Sequence, residues 1–254
     1  DVEPLPGAWS YSCDVVSIDN FPLAHSLAPV SMTFIGDARE VLSLRSSDHQ
    51  DATQHVAGLR SRLADASRPL GPVDLVRSAA EVMPDETIVT VDAGAHFLAV
   101  MPFWPVTRTK QVFISNGLAT MGYALPAAIG AALGDCDRPV IAFTGDGGLQ
   151  MALSELETLQ RLQLPVCVAV FNDSELTLIR LKQKDDQGGA QAVAYGATDF
   201  AAVAQAVGMN ATVVDHPNDL LAAFQHAYES GRPHLVDVRL DATEYEHILQ
   251  VSRG

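Results

Sequence analysis

Residues 143–173 read FTGDGGLQMALSELETLQRLQLPVCVAVFND. The apolar run PVIAFT (139–144) leads into Gly145, Asp146, Gly147 and Gly148; a helical pattern follows over 152–162; a second apolar run, PVCVAVF (165–171), ends in Asn172 and Asp173. Continuous apolar strands joined by one helix read as neighbouring parallel strands covered on both faces, which puts both acids at the same, carboxyl edge of a sheet. Glycines at 145, 147 and 148 permit backbone conformations closed to other residues and let main-chain amides approach an anion, while Asp146 is a hard oxygen donor. Asp173 adds a second carboxylate and the main-chain carbonyl of Glu175 a third oxygen. Asp146, Asp173 and Glu175 are therefore expected to share one Mg2+ or Ca2+ whose other ligands are water and phosphate oxygens.

The same alternation extends in both directions. Upstream lie a helix over 72–83 with Pro72 in its first turn, strands over 87–91 and 111–114, and a helix over 122–133. Downstream lie helices over 175–183, 199–208 and 219–230 and strands over 211–214 and 234–240. The expected fold class is α/β, a doubly wound parallel sheet with helices on both faces. Ligands then belong at the carboxyl ends of the strands, where Asp92, Asn116, residues 145–148 and residues 172–173 all fall.

Residues 1–66 read differently. They hold a strand near 13–18, a second strand ending at Gly36, a helix with Asp37 as a plausible N-cap, and a helical stretch over 51–65. Two short strands with helices cannot bury both faces of a sheet, so this segment is expected to be the C-terminal remnant of a central α/β domain. The proline- and glycine-bearing DASRPLGPVD (65–74) reads as the linker to a domain spanning 67–254.

Composition narrows the function. The chain has 254 residues, 48% hydrophobic and 19% charged, enough to bury one large core or two moderate ones. A net charge of −15 excludes sequence-independent nucleic-acid binding, which needs a surplus of Lys and Arg. No apolar run reaches the length of a membrane span and no leader pattern opens the chain, so no membrane partner and a cytoplasmic location are expected. The three cysteines, Cys13, Cys136 and Cys167, form no C-x-x-C spacing, and neither disulfides nor zinc are expected.

With these residues in place, the chain resembles the thiamin-diphosphate (ThDP) enzymes, specifically the diphosphate-binding domain of the acetolactate synthase and 2-oxo acid decarboxylase group. The G-D-G followed by an apolar strand ending in N-D is similar to that family's signature. SNGLATMGYALPAAIGAAL (115–133) and VDAGAHFLAV (91–100) resemble two further family segments, in the same order. The first 66 residues, through VVSIDN and IGDAREVL, are similar to the end of the family's central domain.

The resemblance implies ThDP and Mg2+ as cofactors, with Asp146 and Asp173 as side-chain ligands and Glu175 as a main-chain one. It implies that Gly94, His96, Gly145, Gly147 and Gly148 surround the diphosphate, His96 donating to it. Met121 would hold the cofactor bent, its N–H and the Ala119 carbonyl meeting the pyrimidine. Ala119 stands where the family usually has Gly, and Asp173 where many members have Asn. Leu178, Ile179 and Lys182 are expected at the substrate pocket; biosynthetic acetolactate synthases have Trp at the position of Lys182, which puts 2-oxobutyrate selectivity in doubt.

The implied activity is decarboxylation of a small 2-oxo acid with carboligation. The alternatives left open are a non-oxidative decarboxylase of a bulkier or anionic 2-oxo acid, and a cofactor-binding fragment. FAD binding stays open because most of the central domain is absent. The activating glutamate is expected outside this chain, on a pyrimidine-binding domain of another subunit, so the chain alone is expected to be inactive and the intact enzyme a homodimer or homotetramer. His216, His226, His234 and His247 read as surface residues, and residues 184–196 as a solvated segment that orders over bound cofactor or substrate.

Overall fold

The computed structural model describes residues 16–19, 32–35, 70–183 and 193–253. The helices expected after Asp37 and over 51–65, and residues 184–192 of the segment expected to order over ligand, lie outside the described residues. The chain divides into two compact units, Asp1–Gly58 and Leu59–Gly254. In the first, β1 (Val16–Asp19) and β2 (Met32–Ile35) pair in parallel, Val16 opposite Met32.

The second unit is a six-stranded, wholly parallel sheet in the order β4-β3-β5-β6-β8-β7. Its strands are β3 (Ile88–Val91), β4 (Val112–Ile114), β5 (Val140–Gly145), β6 (Val166–Asn172), β7 (Asn210–Val214) and β8 (His234–Arg239). Period-two alternation sends Ile141, Phe143, Cys167, Ala169 and Phe171 to one face and Val140, Ala142, Val166, Val168 and Val170 to the other. On the first face pack α1 (Pro72–Val82), α2 (Phe97–Phe103), α6 (Thr177–Lys182), α8 (Leu220–Glu229) and α9 (Glu244–Arg253). On the second pack α3 (Ala124–Gly134), α5 (Glu155–Arg161) and α7 (Phe200–Ala206). Phe143, Phe171, Phe200 and Phe224 are fully enclosed. Burial of such a side chain contributes roughly 1.5–3 kcal/mol over leaving it exposed.

Local sequence explains the ends of these helices. Pro72 occupies the first position of α1, where its missing N–H costs nothing, and the Asp74 carboxylate accepts the Gly71 N–H at 3.0 Å. Asp199 caps α7 by accepting the Ala202 N–H at 2.9 Å. Three helices escape the sequence reading: α2, α9 and α4 (Asp146–Met151). Two glycines and a length of six residues hide α4, and Pro102 lies inside α2. In α9 only Tyr245 and Ile248 of the described side chains are buried hydrophobics, too few for an apolar stripe.

His234 departs from the surface placement expected of it. It begins β8, is buried, and places Nε2 2.9 Å from the Thr212 hydroxyl. Burial, with the neighbouring His226, lowers its pKa to about 4. Among the described residues no helix is long and apolar enough to cross a membrane.

The strand order locates a crevice. From β3 the chain crosses outward to the edge strand β4 and then returns past β3 to β5. The connections therefore leave β3 and β5 in opposite directions, and the carboxyl ends of those two strands flank an open groove.

Candidate functional site

A cavity of about 190 Å³ opens at that switch point. Gly94 and His96 enter it from the turn after β3, Gly145, Asp146, Gly147 and Gly148 from the end of β5, and Asp173, Glu175, Leu178 and Ile179 from beyond β6. Ala119 and Met121 line it from the approach to α3. Lys182 is exposed and stands outside the lining, as does Asn116.

The two acids approach each other because their strands are neighbours, Gly145 lying opposite Phe171. Asp146 is 3% exposed. Its Oδ1 accepts the Gly147 N–H at 2.7 Å and the Tyr195 hydroxyl at 2.6 Å, and its Oδ2 accepts the Ser174 N–H at 2.6 Å. Asp173 accepts the Thr177 hydroxyl at 2.7 Å and the Glu175 N–H at 3.2 Å. Burial raises the Asp146 carboxyl above the usual range. Asp173 is pushed up to about 7, first by burial and further by the charge of Asp146, against the lowering effect of Thr177. Like charges held together in a poorly solvated wall attract a cation.

The donor set is hard oxygen, which suits Mg2+ or Ca2+ rather than a soft metal. No group of three or more His, Cys, Asp or Glu side chains able to hold a metal occurs among the described residues. A cation between Asp146 and Asp173 would thus complete its shell from main-chain oxygen, water or a bound anion.

His96 supplies the complementary feature. Its ring is buried, stacks on Phe171 with centroids 5.2 Å apart, and bonds the Asp92 main chain. Burial lowers its pKa to about 4, so it is neutral near pH 7. Its Nε2 is enclosed and has no partner; with the other ring nitrogen donating to the Asp92 main chain, Nε2 of the neutral ring can only accept, and it donates to a ligand oxygen once a nearby anion draws a proton onto the ring. The glycines beside it admit no side chain. A Cβ at Gly147 would stand 2.8 Å from Leu176 Cδ2 and 3.0 Å from the Tyr195 hydroxyl, and one at Gly148 would collide with the Asp92 carboxylate. Backbone thus forms the wall of the cavity here.

Asp92 organises the neighbouring corner. Its Oδ1 accepts the Ala124 N–H at 2.6 Å, and its Oδ2 accepts the Gly122 N–H at 3.2 Å and the Thr144 hydroxyl at 2.6 Å. These bonds tie β3, β5 and the start of α3 together and set Ala119 and Met121 over the cavity. Ala119 adopts φ 47°, a left-handed conformation in which glycine is the easier residue.

Several residues at the site were not singled out from sequence, among them Phe171, on which His96 stacks, and Leu176. Tyr195 bonds Asp146, Thr177 bonds Asp173, and Tyr245 of α9 lines the cavity. Thr177, four residues beyond Asp173, carries a local signal. Tyr195 and Tyr245 arrive through tertiary folding alone.

Comparison with known proteins agrees with this geometry. The sequence profile of the family described as "Thiamine pyrophosphate enzyme, C-terminal TPP binding domain" matches residues 92–238, more than half of the chain. The chain is 35% identical over 181 residues to acetolactate synthase isozyme 1 large subunit of Escherichia coli K12, covering 70% of this chain and 32% of that one. It is 28% identical over 262 residues to the isozyme 3 large subunit of the same organism, covering 94% of this chain and 46% of the relative. The chain thus spans from about a third to just under half of the length of these curated relatives. A Rhodococcus jostii RHA1 ThDP-dependent 4-hydroxybenzoylformate decarboxylase superposes with a TM-score of 0.66 at 24% identity, over 71% of this chain and 34% of that one, which establishes a common fold. The chain belongs to the thiamine pyrophosphate enzyme family and carries its C-terminal TPP-binding domain.

Proposed function

We propose that this chain supplies the diphosphate- and metal-holding half of the active site of a ThDP- and Mg2+-dependent enzyme acting on a small 2-oxo acid, with acetolactate synthase-like carboligation. The observation that carries this reading is the convergence of Asp146, Asp173, His96 and Met121 on one cavity at the switch point. Asp146 and Asp173 would hold the ion by their carboxylates and Glu175 by its main-chain carbonyl. His96 Nε2 and the amides of Gly147 and Gly148 would face the diphosphate, the Gly147 N–H turning away from the Asp146 carboxylate it bonds in this state. The Ala119 carbonyl and the Met121 N–H would meet the pyrimidine, while Leu178 and Ile179 would border the substrate.

Bound there, ThDP supplies the nucleophilic carbon that attacks a 2-oxo acid and stabilises the charge left when CO2 departs. The residues of this chain orient it, exclude water and balance its negative charge. The activating glutamate would come from a pyrimidine-binding domain of a neighbouring subunit, which makes the working assembly a dimer or tetramer. Identity to the acetolactate synthases, at 35% for one of them, supports carboligation over simple decarboxylation.

The test supplies pyruvate, ThDP and Mg2+ to the intact enzyme and assays acetolactate as acetoin after acid treatment. Acetoin is expected. Release of CO2 and aldehyde without acetolactate would replace carboligation by decarboxylation. Failure of ThDP to bind at saturating Mg2+ would remove the reading altogether.

A further inference from the structure

Asp146 opens α4 and Asp173 lies on the loop after β6, and their like charges oppose the closeness that a shared cation requires. On the reading of these acids as a cation pair, we propose that Tyr195 is a positioning residue that staples the two segments together and orients Asp146 for a small divalent ion. The main chain of Tyr195 belongs to the Asp173 side. Its N–H donates to the Ser174 carbonyl at 3.1 Å, the Leu176 N–H donates to the Val193 carbonyl at 2.9 Å, and Glu175 forms an antiparallel bridge with Ala194. Its side chain crosses to the start of α4, where the hydroxyl donates to Asp146 Oδ1 at 2.6 Å.

The Ser174 N–H, held out by a left-handed backbone at φ 60°, takes Asp146 Oδ2 at 2.6 Å. Both oxygens of Asp146 are therefore gripped by the segment that carries Asp173 or by one bonded to it. A carboxylate offers about four lone-pair sites; the Gly147 N–H and the Tyr195 hydroxyl take both on Oδ1 and the Ser174 N–H one on Oδ2, so Oδ2 keeps a site for a cation and Oδ1 gains one if the Gly147 N–H turns away. What the grip removes is rotation about the carboxylate's own bond. Mg2+ demands near-octahedral geometry at short distances, whereas Ca2+ accepts longer and irregular shells. An oriented Asp146 therefore favours the smaller ion.

Tyr195→Phe in the intact protein removes only the hydroxyl. ThDP binding is titrated calorimetrically against Mg2+ and, separately, against Ca2+, for the variant and the wild type. The expected result is about a tenfold rise in the Mg2+ concentration for half-maximal ThDP binding, the scale of one hydrogen bond to a charged group, and less than about a threefold rise for Ca2+. Equal changes for the two ions, or none, would show that the hydroxyl only supports the fold and would overturn the proposal. A wild type that binds ThDP with no dependence on either ion removes the cation reading and Tyr195's role together, and the wild-type titration alone reveals that case.

Discussion

Asp92 and Asp146 follow adjacent parallel strands, both are almost wholly buried, and burial raises both carboxyls, yet the two corners they form differ in kind. Asp92 meets only neutral donors, the Thr144 hydroxyl and the N–H groups of Gly122 and Ala124. Asp146 meets a similar set but shares its cavity with Asp173, whose proton it helps retain to about pH 7. A buried acid is therefore not by itself a site. One satisfied by neutral donors is a tie between elements, whereas two that face each other leave a charge excess that a cation can neutralise.

The comparison breaks most visibly at Asp92. Asp92→Ala leaves the Gly122 and Ala124 amides without their acceptor and the Thr144 hydroxyl only the Gly145 carbonyl at 3.1 Å, and a buried polar group deprived of its partner costs about 1–3 kcal/mol. A loss of about 3 kcal/mol or more in unfolding free energy is expected, read from the urea midpoint. Asp146→Ala in cofactor-free protein should lose much less, because it also relieves the repulsion from Asp173. Equal losses would mean that both corners are structural.

Cofactor binding should reverse that ranking. Asp146→Ala is expected to weaken ThDP binding at fixed Mg2+ well beyond tenfold, more than about 1.4 kcal/mol, and Asp173→Ala to resemble it. Asp173→Asn keeps an oxygen ligand and should be far milder. Calorimetric titration of the three variants decides the point, and wild-type affinity in Asp146→Ala would defeat the shared ion.

The contrast between these corners also marks what sequence could reveal. The β5–β6 pair was legible because its apolar runs and polar ends all fall within residues 139–173, and the parallel, doubly wound class followed from the alternation of strands and helices, whereas the order of the strands across the sheet did not. The short helix α4 was not, because Gly147 and Gly148 carry no helical preference and the helix forms only where β5 delivers the chain. Tyr195 lies 49 residues from the carboxylate it bonds, and no periodicity encodes such a contact. His234 looked like a strand-end surface residue because its burial at the amino edge depends on packing against α8, whose His226 meets its ring edge-on, a tertiary contact that no local pattern encodes. The departure at Ala119 was visible as a residue type, while its cause, a positive φ, needed coordinates.

Two buried histidines extend the comparison to pH. His96 at the carboxyl edge and His234 at the amino edge are each lowered to about 4, from an ordinary value of 6.5. Between those limits the unfolded chain binds protons that the folded one refuses, so their contribution to stability is present above 6.5 and is lost as pH falls toward 4. The slope is about 1 kcal/mol per pH unit for each between pH 6 and 5. His96→Gln and His234→Gln should each flatten the pH dependence of the urea midpoint. An anion beside His96 Nε2 favours the charged ring, so saturating ThDP should shrink the acid loss assigned to His96 and leave that of His234 unchanged. If ThDP alters both equally, His96 does not face the diphosphate.

The smallest effect concerns strain at the cavity wall. Ala119 and Ser174 are both non-glycine residues held at positive φ, 47° and 60°. For a residue with a Cβ the left-handed region costs about 1–2 kcal/mol. Glycine removes that cost but makes the unfolded chain freer, by about 0.4–1 kcal/mol. Ala119→Gly should therefore gain about 0.5 kcal/mol, a rise of about 1–2 °C in Tm, with ThDP affinity unchanged because the main-chain groups keep their places. At Ser174 the same arithmetic holds for stability, but the strained backbone there aims an N–H at Asp146 Oδ2. Ser174→Gly should thus gain no more stability than Ala119→Gly and should raise the Mg2+ requirement for ThDP binding. Should Ala119→Gly lose stability instead, its φ is not a strain the fold tolerates but one that the Asp92 corner imposes through contacts of the methyl group.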